Sequence, residues 1–221
     1  MGFLRDISDL IDETRSIADI QNTQFVTDNE IVVWLNKGYR RLYNNLINCY
    51  EMYKITSDDL TMIADQKDYD LPSDFLKLVK VFWVGDDERE YPLTRMTLHE
   101  SDTYAFSVSE PRRYTLLGDK IRFWPIPEAG KTIRIYYNPA ATAFTDASTD
   151  IDFEQHQDEY CIYYAAREAK IKEQSPISEI ERKMMELELA CKTVITPRDT
   201  SDSAQIMDVM YNDNSRDDWM Y

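Results

Sequence analysis

The chain is poor in the residues and patterns that carry chemistry. Its 221 residues include only two histidines, His99 and His156, and neither has a second histidine near it in sequence. There are three cysteines, Cys49, Cys161 and Cys191, widely spaced and without a Cys-x-x-Cys pair. A zinc knuckle or a thioredoxin-type motif is therefore unsupported. Each cysteine falls in a helical pattern and is expected as a buried free thiol, which fits a reducing cytoplasm. Five glycines and eight prolines rule out a low-complexity or collagen-like chain. No P-loop, Gly-x-Gly-x-x-Gly run or Gly-x-Ser-x-Gly elbow occurs. No apolar run approaches a membrane span, and the start, Met1-Gly2-Phe3-Leu4-Arg5-Asp6, lacks the long apolar stretch of a signal peptide. Positive charge is also scarce. With 25 Lys and Arg against 41 Asp and Glu, the net charge is -16. That argues against clamping nucleic acid, because phosphate contacts need cations. It remains compatible with a surface that surrounds DNA and lets it slide.

What the chain does have is apolar and aromatic residues in regular patterns. Hydrophobic residues make up 43%, enough for one good core. Fifteen tyrosines offer apolar area with a wet hydroxyl, a combination that suits both core margins and interfaces. Phe3, Leu4, Ile7, Leu10, Ile11 and Ile17 recur at helical spacing up to about Ile20. Thr27-Asp28-Asn29-Glu30 reads as a capping box that opens a helix running to about Cys49. The stripe of that helix is Ile31, Trp34, Leu35, Gly38, Leu42, Leu46 and Cys49. Gly38 at mid-helix costs about 1 kcal/mol relative to alanine, so it is expected to admit a closely packed neighbour.

From Tyr53 the period becomes two. Lys54-Ile55-Thr56 and Leu60-Thr61-Met62-Ile63 read as short strands broken by Ser57-Asp58-Asp59. Leu76 to Val84 and Glu90 to Leu93 follow as strands around Gly85-Asp86-Asp87. Thr97 to Tyr104 reads as a short helix or turn. Arg113 to Leu116 and Lys120 to Trp124 form a hairpin through Leu117-Gly118-Asp119, and Lys131 to Tyr137 adds a strand. Ala140 to Ile151 reads as a loop, with a helix from about Phe153 to Glu173. Ser178-Glu179-Ile180-Glu181 reads as a second capping box before a helix stopped by Pro197. The expected fold class is α+β, mainly α: a helical bundle with an inserted antiparallel β region and an extended C-terminal arm. The divisions are 1–52, N-terminal helices; 53–140, β-rich insert; 141–196, C-terminal helices; and 197–221, the arm.

The arm changes character. It carries two arginines against six aspartates, yet keeps Ile206, Met207, Val209, Met210, Tyr211, Trp219, Met220 and Tyr221. Such apolar clusters suit a segment that orders on a partner.

Three stretches carry a family resemblance. They are Trp34-Leu35-Asn36-Lys37-Gly38-Tyr39-Arg40-Arg41-Leu42-Tyr43, Tyr69-Asp70-Leu71-Pro72-Ser73-Asp74-Phe75-Leu76-Lys77-Leu78, and Leu117-Gly118-Asp119-Lys120-Ile121-Arg122-Phe123-Trp124-Pro125-Ile126-Pro127 through Ile133-Arg134-Ile135-Tyr136-Tyr137. Their order and spacing resemble the head-to-tail adaptor (connector) proteins of tailed bacteriophages. The resemblance implies a structural virion protein of the neck, assembled in the host cytoplasm. It implies a homo-oligomeric ring, commonly a dodecamer, beneath the portal protein. That ring seals the DNA channel, passes DNA without specific binding, and offers a platform to tail or nozzle proteins. It implies no enzyme, no cofactor and no membrane. Ile206, Met207, Val209, Met210, Tyr211, Trp219, Met220 and Tyr221 are then the expected portal-binding arm. The hairpin residues Arg113, Tyr114, Phe123 and Trp124 are the expected intersubunit contacts. The alternatives are another neck or tail ring protein, or an adaptor with cell-wall hydrolase activity. The acids Asp150, Asp152 and Glu154, and His156 between Asp152 and Glu159, are the groups weighed for chemistry. First-turn acids and a lone histidine have ordinary structural uses.

Overall fold

The computed structural model describes residues 3–20, 22–101, 108–144, 151–153 and 156–195. The arm, the segments 102–107 and 145–150, Glu154 and Gln155 lie outside the described residues. In chain order the elements are β1 (Phe3–Arg5), α1 (Ile7–Ala18), α2 (Asp28–Cys49), β2 (Thr56–Thr61), β3 (Asp68–Asp70), β4 (Phe75–Val84), β5 (Glu90–Pro92), β6 (Thr94–Arg95), α3 (Leu98–Ser101), β7 (Arg113–Leu117), β8 (Lys120–Trp124), β9 (Thr132–Pro139), β10 (Ile151–Phe153), α4 (Gln157–Glu173) and α5 (Ser178–Ile195).

The expectation of a mainly helical bundle is overturned. Among the described residues five helices stand beside two four-stranded sheets, so the class is α+β without the bundle dominating. One sheet has the order β2-β9-β4-β5 and the other β3-β8-β7-β6. Val81, Trp83, Ile133, Ile135 and Tyr137 from the first sheet share one buried cluster with Tyr69, Tyr114, Ile121 and Phe123 from the second. Two sheets that bury a common face form a β unit with its own core rather than an appendage. The β region is also not wholly antiparallel, because β6 runs parallel to β7 over two residue pairs.

Local chemistry explains most element ends. The Thr27 side chain accepts from the Glu30 amide, and the Glu30 carboxylate accepts from the Thr27 amide at 3.0 Å, completing the expected capping box. The N-terminal stretch is not one helix. Asp6 caps α1 by accepting from the Ser8 amide, and Phe3–Arg5 before it pair with Ile151–Phe153. The helix expected from Phe153 starts at Gln157 for the same reason: Phe153 is held in that strand pair. The second capping box does not form as expected. Helix α5 begins at Ser178, and Glu181 Oε1 accepts instead from Arg167 Nε at 3.0 Å. A box formed between Thr97 and Glu100 opens α3; its Thr-x-x-Glu spacing was present in the sequence. Strand β2 is continuous through Ser57-Asp58-Asp59, where a break was expected. Asp59 stands opposite Arg134 on β9 and accepts from it at 2.7 and 2.8 Å. A cross-strand partner offsets the poor strand preference of aspartate. Gly118 takes positive φ (64°) at the first central position of the β7–β8 turn, which only glycine adopts without strain.

Helices α1, α2 and α4 enclose one apolar cluster with Phe144 and Phe153. A second cluster joins α2, α4 and α5, with Tyr53 beneath it. Cys161 and Cys191 are buried in these clusters, but Cys49 at the end of α2 is exposed, against expectation. Leu46 and Ile47 of the same turn are buried in the second cluster, so Cys49 lies on the solvent side of α2. Gly38 does admit a close neighbour: a Cβ there would lie 2.9 Å from Tyr164 Cβ and 3.0 Å from its Cγ on α4. The Gly38→Ala chain should therefore be less stable, although alanine is the better helix former. Helix propensity returns about 1 kcal/mol, while overpacking a tight contact costs about 1–3 kcal/mol. Chemical denaturation of the two chains tests this, and a more stable variant would contradict the close packing of α2 on α4.

Polar side chains tie the helices to the segments that enter and leave the β unit and to the end of β9. Asn36 donates to the Phe144 carbonyl at 2.9 Å and accepts from its amide at 2.7 Å. Asn138, fully buried at the end of β9, donates to the carbonyls of Glu51 and Tyr53 at 3.0 and 2.7 Å. Tyr43 donates to the Pro139 carbonyl at 2.8 Å. Gln157 donates to the Tyr53 hydroxyl at 2.6 Å. Removing a buried partner strands the other group at about 1–3 kcal/mol, so these bonds fix how the β unit sits on the helices.

Candidate interaction surface

The hairpin expected to face a neighbouring subunit is central in its own sheet. Strand β8 is covered by β3 and β7 by β6. Tyr114, Phe123 and Trp124 are buried inside the subunit, the last two at 1% and 3% exposure. Tyr114 and Phe123 belong to the core shared by the two sheets, with Phe123 5.7 Å from Tyr69 ring to ring. Arg113 is half-buried on the same hairpin. Aromatic residues on a hairpin read as surface only while the second sheet is unknown. Once it is present, the same residues are the filling of the sandwich. What the hairpin exposes is its turn, Gly118, Asp119 and Lys120.

Outside the cores, charge is arranged in pairs. Arg122 reaches back from β8 to the Asp68 carboxylate with two bonds, at 2.5 and 2.8 Å, and holds that carboxyl below its ordinary value. Arg134 does the same for Asp59 and also donates to Glu90 at 2.8 Å, where Tyr136 donates as well. Phe82 meets Tyr136 edge to face at 5.6 Å on this outer side of the first sheet. On the helical side Lys172 bonds Glu30 at 2.7 Å and lowers that carboxyl. Two large apolar side chains on α5, Met185 and Leu189, are left 71% and 64% exposed, one helical turn apart. Arg40 and Arg41 on α2 are exposed.

The groups weighed for chemistry are not assembled into a site. His156 precedes α4 with φ 68° and makes no side-chain capping bond. Asp150 and Glu154, and the side chain of Asp152, lie outside the description. Among the described residues there is no group of three or more His, Cys, Asp or Glu able to hold a metal ion. Burial pushes the Cys191 thiol up to about 12 and the Cys161 thiol well above its ordinary value, so both stay protonated and unreactive at neutral pH. A broad hollow beside the β4–β5 turn is lined by Asp86, Asp87, Tyr91 and Lys131 among others. There Lys131 pairs with Asp86, and Tyr91 donates to Asp87 at 3.2 Å, so these groups satisfy one another. No described helix is long and apolar enough to cross a membrane. The eight apolar residues of the arm, Ile206 to Tyr221, lie outside the described residues.

The class these features define is an α+β protein in which a two-sheet β unit is hydrogen-bonded to a helical layer, with charged strands and exposed apolar residues on its surface. The family model of the SU10 adaptor protein matches residues 5–205, and the chain belongs to that family of phage adaptor proteins. The match spans both the helical layer and the β unit. No curated protein matches the chain.

Proposed function

We propose that the protein is a structural subunit of the phage neck, a head-to-tail adaptor that assembles as a ring, commonly of twelve copies, below the portal. The ring seals the DNA channel and offers tail or nozzle proteins a platform. The single observation that carries this reading is the family match across residues 5–205. The net charge of -16 supports a channel that passes DNA, because an acidic wall repels phosphates and gives the duplex nothing to grip. The arm, with Ile206, Met207, Val209, Met210, Tyr211, Trp219, Met220 and Tyr221, is the segment that enters the portal. The Arg113–Trp124 hairpin contributes to subunit contacts through its exposed turn, while Tyr114, Phe123 and Trp124 stiffen it from inside. Assembly takes place in the host cytoplasm, and the working location is the virion neck.

The test is the mass and shape of the purified chain with and without portal rings of the phage that encodes it, by sedimentation and electron microscopy. The expected result is a small species alone and a closed ring of adaptor density on one face of the portal. Absence of any stable complex at micromolar concentration would overturn the reading.

A further inference from the structure

The first sheet, β2-β9-β4-β5, has two open edges of similar length on opposite sides. Strand β2 pairs with β9 over all six residues, Thr56–Thr61, and with no other described strand. On the far side, β5 pairs only with Phe82, Trp83 and Val84 of β4. The Leu93 amide adds one bond to the Val81 carbonyl. The stretch Phe75–Lys80 of β4 thus has β9 on one side and no described strand on the other.

The two edges differ in charge. The β2 edge reads Thr-Ser-Asp-Asp-Leu-Thr, and the open β4 stretch reads Phe-Leu-Lys-Leu-Val-Lys. Asp58, Asp59 and Lys80 are exposed. Exposed aliphatic groups flank both edges: Ile55 and Ile63 around β2, and Leu76 on β4. An open edge is a template for another strand. Two copies joined β2 to β2 would oppose aspartates, and two joined β4 to β4 would oppose lysines; like charges directly opposite are destabilising. Only β2 against β4 brings opposite charges together. The register puts Asp59 opposite Arg134 and Lys80 opposite Tyr136. Residues 134 and 136 are two apart on β9, so Asp59 and Lys80 share one face of the sheet. Against β9 the register of β4 shifts between Phe75 and Lys77 and between Leu78 and Lys80.

Resting on the ring reading above, we propose that the β2 edge of one subunit pairs with the open Phe75–Lys80 edge of β4 in the next copy, so that the first sheet continues from subunit to subunit. Such a contact is heterologous, head to tail, the kind that closes into a ring when the rotation permits. Both β2 and β4 are antiparallel to β9 and therefore parallel to each other. A rotation axis running roughly along the strands preserves that direction, so the junction is a parallel pairing made through backbone bonds, with the charges selecting the partner edge.

The test uses the full chain in a Cys49→Ser background, because Cys49 is the exposed thiol. Ser57 and Lys80 both stand opposite Tyr136 and so lie on one face, one at each edge. Chains carrying Ser57→Cys, Lys80→Cys, or both, are assembled on portal rings and treated with a short bis-maleimide. Mass per portal is read by sedimentation before treatment, and covalent products by denaturing gel. The expected result is full occupancy for Ser57→Cys and lower occupancy wherever Lys80 is replaced, with the assembled double variant giving a ladder of trimers and higher species and each single variant giving monomers. Occupancy with no ladder would overturn the edge pairing and leave the ring standing. Dimers from a single variant would show like edges meeting and overturn it too. No occupancy and no ladder would overturn both readings. A ladder formed at high concentration without portal would support the pairing even if portal binding failed.

Discussion

Removal of residues 197–221 is expected to leave the rest of the chain folded and to abolish stable attachment to portal rings. The first half of this expectation rests on where burial ends. All three apolar clusters draw their described members from residues no later than Ile195. Cys191 and Ile195 are buried in the cluster joining α2, α4 and α5, so the last turn of α5 packs on the helices. The second half rests on composition. Eight large apolar groups in the final sixteen residues, three of them aromatic, are far more than a solvated tail requires. Anchors of that kind dominate the binding of extended segments at about 2 kcal/mol or more each, roughly a 30-fold change in affinity per anchor. The aspartates between them disfavour self-association and suit a partner carrying basic groups. Co-sedimentation of full-length and shortened chains with portal rings, beside thermal melts of each, reads both halves. Equal binding by the two chains would remove the arm from the attachment. A lost melting transition in the shortened chain would make residues 197–221 part of the core.

Replacing Phe123 by alanine should be the most damaging single change in the β unit. The ring is 1% exposed and sits between the two sheets among Tyr69, Tyr114, Ile121 and Ile135. Truncating a buried phenylalanine costs about 3–5 kcal/mol, because transfer free energy and a residual cavity add. For a chain of this size that lowers Tm by roughly 6–20 °C. Trp124, the neighbouring aromatic, is also buried, so the sandwich cannot refill the space from solvent. Circular dichroism followed in the near and far ultraviolet gives the outcome. One shifted transition would show that the β unit and the helices unfold together, as expected from the Asn138 and Tyr43 bonds at β9. An unchanged Tm would mean that the two sheets do not share the core described. The same variant separates two roles for the hairpin: if its rings act inside the subunit, the loss appears in stability first and in assembly only as a consequence.

Much of the local architecture was legible in the residues. The Thr27–Glu30 box, the stripe of α2, the close approach at Gly38 and the β7–β8 turn at Gly118 all follow from short-range rules. Cap, period and turn chemistry involve neighbours within a few positions, and the sequence displays those directly. The misreadings have one physical origin. Asp58 and Asp59 looked like a break, and only Arg134, seventy-five residues from Asp59, makes a strand of that segment. Phe3–Arg5 looked helical, and only Ile151–Phe153 makes it a strand. Glu181 looked like half of a capping box, and only Arg167 on another helix takes it away.

By itself, then, the sequence determined an acidic α+β chain without catalytic or phosphate-binding motifs, with amphipathic helices at each end of a period-two middle and an apolar arm after Pro197. These are properties of composition and of spacing along the chain. The tertiary structure alone decided which faces are interior. It turned Tyr114, Phe123 and Trp124 inward, because a hairpin aromatic is surface or core according to whether a second sheet lies over it. It raised the β region from an insert to a sandwich with its own core, because sheet pairing between β2, β4 and β9 or between β3 and β8 joins residues about 50 to 80 positions apart. And among the described residues it left β2 and the first half of β4 as open edges of opposite charge, since an edge exists only once the other strands have found their places.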